Sequence, residues 1–139
     1  MNAAITYLFK RQIISESFLE EKKYPLFIKD TIHNLILSLT CLNRNCLWSQ
    51  NYPIHLFHDE NGFSEIEKKL LKKRFPNLDF NLFINNIPSF ISEIEVERLI
   101  FKMEKQGLAS RDMGYRKMCN WYSYDLWQNE ILKSYEYIM

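Results

Sequence analysis

Short runs of β-forming apolar residues alternate along this chain with longer segments whose apolar residues recur every three or four positions. A sequence built that way has few means of burying both kinds of face, and the economical one is a sheet with helices packed against it. The first run, "AITYLF", stops at the charged "KRQ" and reads as a buried strand of a parallel sheet. In "YPLFIKDTIHNLILSLTCL", Pro25 stands near a helix start, and Ile28, Ile32, Leu35, Ile36 and Leu39 then follow at helical spacing. "YPIHLFHDENGF" is a second short strand, after which Ser64 and Glu67 form a capping box opening a helix through Arg74. "NLDFNLFINNIP" turns Leu78, Phe80, Leu82 and Ile84 to one face, and "SEIEVERLIFKMEKQG" is a helix terminated at Gly107.

The last helix is "GYRKMCNWYSYDLWQN", with Tyr115, Met118, Cys119 and Tyr122 on its apolar face. It leads into "SYEYIM", where Tyr135, Tyr137, Ile138 and Met139 read like the front half of a buried strand. The expected fold is an α/β layered sheet with right-handed crossovers, one domain over residues 1–139. A chain of 139 residues that is 47% hydrophobic can bury one sizeable core.

Charge narrows the partners. Eighteen basic and 17 acidic residues leave a net +1, so there is no bulk field to hold nucleic acid or an anionic membrane. The basic cluster "EKKLLKKRF" falls on the outer face of a helix whose other face is Ile66, Leu70 and Leu71. Three cysteines, Cys41, Cys46 and Cys119, leave one over in any disulfide scheme, which favours a reducing compartment. "AAITYLF" lacks a basic leader and is too short to cross a bilayer, so neither a signal peptide nor a membrane segment is expected. A cytoplasmic location follows as the expectation.

Ligands of open α/β sheets bind beyond the carboxyl ends of the strands. Those positions hold Lys10 and Arg11 after the first strand, His58, Asp59 and Glu60 after the second, and Asn85 and Asn86 after the third. Lys10 and Arg11 could offset a diphosphate or simply be solvated. Asp59 could hold a ribose hydroxyl or a base edge, or form the turn into Gly62. His55 and His58 point to opposite faces of a strand and make a poor metal pair. Cys119, on an apolar face, reads as a core thiol. Tyr115 and Arg116 place an aromatic face beside a planar guanidinium, suited to stacking and phosphate contact, although spacing alone turns Tyr115 to the core. The absence of GxGxxG, P-loop and GxSxG patterns leaves the common dinucleotide, NTPase and hydrolase classes unsupported.

"GYRKMCNWYSYDLWQNEILKSYEYIM" resembles a segment of the fungal-type alpha-1,2-mannosyltransferases, the glycolipid 2-alpha-mannosyltransferase family, glycosyltransferase family fifteen. That segment reads Tyr-Arg-x-Met-Cys-Arg-Phe-x-Ser-Gly, followed by an apolar and aromatic stretch ending Tyr-x-Tyr-Tyr-Trp. The matching positions are Tyr115, Arg116, Met118, Cys119, Ser123, Tyr135 and Tyr137. Upstream, "AITYLFKR" is similar to the family's first strand and its basic exit, and "PIHLFHDENGFS" to its Phe-Leu-Asn-Asp-x-Pro-Phe segment, with Asp59 on the matching acid. Asn120 and Tyr124 depart from the family's arginine and glycine.

The resemblance implies a Rossmann-like half of a GT-A fold that binds GDP-mannose or a related nucleotide sugar, with Mn2+ on the diphosphate. A hexose would pass with retention to a hydroxyl of a glycan acceptor. Carried over by position, Tyr115 contacts the donor nucleotide with Arg116 beside it, and Lys10 or Arg11 matches the basic residue after the first strand. The family's metal-binding acid is expected a few residues beyond Met139, so the chain looks like the N-terminal, donor-binding part of the enzyme, with no catalytic or metal residue of its own. Eukaryotic members of the family are Golgi membrane proteins. The competing expectation is a non-catalytic nucleotide-binding remnant, or half of a split enzyme that uses an exposed strand edge to find its partner.

Overall fold

The computed structural model describes residues 2–13, 30–83, 92–107 and 118–139. Two compact units divide the chain, one formed by Met1–Phe83 with Tyr135–Met139 and the other by Ile84–Ser134.

The first unit holds a four-stranded sheet. β1 (Ala3–Phe9), β2 (Ile54–His58), β3 (Leu78–Leu82) and β4 (Tyr137–Ile138) lie in the order β3-β2-β1-β4. Every pairing is parallel, as the near-continuous apolar runs require. Ile5, Ile54 and Leu78 stand opposite one another across three strands, and so do Tyr7, Leu56 and Phe80. α1 (Ile32–Asn45) lays Ile32, Leu35 and Leu39 into the core with Ile5, Ile54, Leu56 and Leu78. α2 (Glu65–Arg74) adds Leu71, and Phe63 and Phe75 close the ends of that cluster. Each such side chain contributes about 1.5–3 kcal/mol on leaving water.

Local signals in the sequence act as expected at the start of α2. The Ser64 side chain accepts from the Glu67 backbone N–H, and the Glu67 carboxylate accepts from Ser64 N–H at 2.8 Å. Just before α1, however, Asp30 bridges Ile13, and α1 begins only at Ile32. Pro25 and Ile28, expected near that helix start, lie outside the described residues. On α2 the apolar face is narrower than the spacing implied. Leu71 is buried, but Ile66 and Leu70 are 72% and 63% exposed, because the sheet covers one side of a ten-residue helix and no more.

The final strand also differs from expectation. β4 is an edge of two residues rather than a buried strand, and Tyr137 is 56% exposed. It is held by Met139 N–H donating to Ala4 O at 2.9 Å and by Thr6 N–H donating to Met139 O at 2.7 Å.

In the second unit, α3 (Glu93–Lys105) opens on a capping box from Ser92 and Glu95 and stops before Gly107, whose φ of 69° favours glycine. The segment expected to be one regular helix carries a π-helical turn, Trp121–Asp125, before the short α4 (Leu126–Gln128). That turn shifts the phase of the residues that follow it relative to those before it. Trp121, Asp125 and Leu126 are buried, whereas Met118, Cys119 and Tyr122 are exposed. Cys119 is therefore not the core thiol that regular helical spacing suggested.

Candidate ligand cleft at the carboxyl end of the sheet

All three long strands deliver their next residues to one place. A cleft of about 470 Å³ is lined by Arg11 after β1, by Asp59, Glu60, Asn61 and Gly62 after β2, and by Phe83 after β3. The volume falls in the range of small-molecule sites.

A turn carries its acidic wall. Gly62 N–H donates to Asp59 O at 2.9 Å, which folds Asp59, Glu60, Asn61 and Gly62 back on themselves. Glycine is needed at its end for space: a Cβ on Gly62 would stand 3.1 Å from Asp59 O and 3.1 Å from His58 Nδ1. His58 props the turn from below, its Nδ1–H donating to Asp59 O at 2.6 Å. Because a carbonyl oxygen only accepts, that contact fixes the proton on Nδ1. The His58 ring is itself edge-on to Phe63 and Phe80, at 5.1 and 6.0 Å between centroids. The turn thus backs onto aromatic packing among His58, Phe63 and Phe80.

Arg11 forms the basic wall, and its guanidinium is already engaged. Nη2 donates to Asp30 Oδ2 at 2.7 Å, Nε donates to both Asp30 oxygens at 3.2 Å, and Nη1 lies 2.9 Å from Glu67 Oε1. Hydrogen bonding to Arg11 holds the Asp30 carboxyl below its ordinary pKa, with burial opposing, while hydrogen bonds from Ser64 and then Arg11 hold Glu67 below its own. Asp30 raises the pKa of Arg11 in return. Lys10 is exposed and is not among the residues lining the cleft; its carbonyl accepts from Thr31 Oγ1 at 3.3 Å, which ties the end of β1 to the approach of α1.

The two histidines of β2 serve different faces, as their spacing requires. His55 Nε2 meets the Tyr135 hydroxyl at 3.0 Å, and its Nδ1 faces the Asn81 amide nitrogen at 3.4 Å. The amide donates, so Nδ1 accepts and Nε2–H donates to Tyr135. Burial lowers the pKa of His55, against the opposing charge of Asp79. Sequence reasoning missed this tie between β2 and the approach to β4, because Tyr135 is 80 positions away.

Of the residues singled out from sequence, Arg11, Asp59 and Glu60 meet in one cleft and Lys10 stands outside its lining. Tyr115, Arg116, Asn85 and Asn86 lie outside the described residues. Phe83 was within reach of the carboxyl-end rule, one position past β3, but carries no charge to draw attention. Asp30 gave no local signal, and Glu67 showed itself only as a capping residue.

A set of metal ligands is not assembled here: among the described residues no group of three or more His, Cys, Asp or Glu is placed to hold a metal ion. The described lining of the cleft offers the carboxylates of Asp59 and Glu60. No helix among the described residues is long and apolar enough to cross a membrane.

No protein-family model matches the chain, and neither does any curated protein. Solved structures do. The X-ray structure of the mannosyltransferase Ktr4p from S. cerevisiae in complex with GDP superposes with a TM-score of 0.62 at 22% identity, covering 98% of this chain and 32% of that one. A second X-ray structure of Ktr4p gives 0.58 at 24% identity, over 98% and 31% of the two chains. The chain therefore has a mannosyltransferase-like, Rossmann-like α/β fold and spans about a third of the length of the enzyme it matches.

Proposed function

We propose that this chain is the donor-binding part of a GT-A glycosyltransferase related to the alpha-1,2-mannosyltransferases. The donor is GDP-mannose or a similar nucleotide sugar, and the complete enzyme transfers the hexose with retention to a hydroxyl of a glycan. The observation that carries this reading is the superposition of 98% of the chain on a mannosyltransferase whose structure holds GDP. The cleft supports it, lying where open α/β sheets bind nucleotides.

In this reading Asp59 accepts from a ribose hydroxyl or from the base edge, and Phe83 offers a ring for stacking. Tyr115 and Arg116 take the donor contacts their motif suggests, and Lys10 lends charge from the end of β1. In the same reading Mn2+ would supply charge against the diphosphate, held by residues other than those described at the cleft. The bond-making step is likewise assigned to no residue of this chain.

Titration calorimetry with GDP, with and without Mn2+, tests the proposal on the wild type and on Tyr115→Ala and Asp59→Asn. Weakening of about tenfold in each variant is expected, the loss of one well-placed contact. Undiminished binding by Tyr115→Ala would remove that residue from the site, and a wild type blind to GDP would remove the donor assignment. GDP binding by a protein that never transfers a hexose would favour the non-catalytic reading, which uses the same cleft.

A further inference from the structure

Resting on the donor reading just given, we infer that Arg11 is a positioning residue of the cleft and not the phosphate ligand its place after β1 suggests. Nε and Nη2 face Asp30, and Nη1 faces Glu67, so every nitrogen of the guanidinium is already engaged by a carboxylate. Two anions on one cation leave the group with no net attraction for a third. Both partners are themselves structural. Asp30 Oδ1 accepts from Ile32 N–H at 3.0 Å at the start of α1, and Glu67 Oε2 accepts from Ser64 N–H and from Ser64 Oγ at 2.8 Å each at the start of α2. Arg11 therefore ties the exit of β1 to the starts of α1 and α2. Ser64 follows Gly62 by two positions, so fixing the cap of α2 also fixes the far end of the turn that carries Asp59 and Glu60.

The consequence is that Arg11 acts on ligands through Asp59 and its turn. Losing it should weaken binding of the nucleoside as much as of its diphosphate, and releasing it from its partners should not create a phosphate site. The variants Arg11→Ala, Asp30→Asn and Glu67→Gln separate the two roles, since the amides keep the helix-capping acceptors and remove only the ion pairs. We expect each to weaken guanosine and GDP by the same factor, about tenfold for Arg11→Ala, with the wild-type dependence on salt retained. Arg11→Lys should recover part of the loss, since one ammonium can serve one carboxylate but not both. A loss confined to GDP, or tighter GDP binding by Asp30→Asn or Glu67→Gln, would overturn the inference by showing the guanidinium reaching phosphate. Amide hydrogen exchange of the unliganded protein provides a second arm independent of the ligand. Faster exchange at Gly62 and at the first turns of α1 and α2 in Arg11→Ala supports the tie, and unchanged exchange there overturns it. A wild type that binds neither ligand would defeat the donor assignment, while exchange would still decide the role of Arg11.

Discussion

The two compact units treat amphipathic sequence differently. In the first, α1 lays its apolar stripe into one cluster with Ile5, Ile54, Leu56 and Leu78, while α2 contributes Leu71 and leaves Ile66 and Leu70 exposed. In the second, α3 leaves Ile94, Leu99 and Phe101 exposed, and the buried apolar side chains of the described residues, Trp121, Leu126 and Leu132, come from the π-helical turn and the short helical segments after it. Periodicity announces a helix in both units, but the width of the face that is buried depends on the surface packed against it, as Ile66 and Leu70 show even beside the sheet. A π-helical turn adds to the difference, because residues beyond it no longer keep the phase set before it.

The sharpest way to break that contrast is to truncate the same residue type in both units. Leu56→Ala, in the middle of β2 with no exposed surface, should lower stability by about 2–5 kcal/mol. Leu99→Ala on α3, 58% exposed, should change it by no more than about 0.5 kcal/mol. Urea unfolding measures both, and similar losses would show that Leu99 packs into a core as firmly as Leu56 does. Next in size, Gly62→Ala places a methyl against Asp59 O and His58 Nδ1, and should cost about 1–3 kcal/mol through overpacking while loosening the cleft. A thermally neutral Gly62→Ala would mean that the turn moves aside freely. Ser64→Ala removes the cap of α2 at a cost of about 1 kcal/mol, and thermal unfolding would register it as a fall in Tm.

The smallest effects are those of pH. His55 has its pKa lowered, so the folded protein resists the proton that the unfolded chain accepts below the ordinary value of 6.5. Stability should be complete above that value and decline as pH falls below it, and His55→Gln should flatten that decline. Asp30 and Glu67, both lowered, add a second decline at more acidic pH as the ion pairs with Arg11 are protonated. Denaturant midpoints measured from pH 8 to pH 3 would separate the two. A flat profile between pH 7 and pH 5 would remove His55 from the account.

Much of the first unit was readable in advance because its signals are local. Apolar runs bounded by charge gave β1, β2 and β3, Ser64 with Glu67 gave the start of α2, and Gly107 gave the stop of α3. The carboxyl-end rule then placed Arg11, Asp59 and Glu60 at one edge, where the cleft lies. The start of α1 was not readable, since the bridge from Asp30 to Ile13 competes with helical pairing. Nor was the state of Arg11, for no spacing in the sequence joins it to residues 19 and 56 positions away.

By itself, then, the sequence determined the order of strands and helices along the chain, because periodicity and capping act within a few residues. Only the tertiary structure decided which cations are free to meet a ligand. Lys10 and Arg11 are neighbours with the same charge, yet folding sets one outside the described lining of the cleft and holds the other between two carboxylates. Charge is a property of a residue, but its availability depends on what the fold brings within about 3 Å of it.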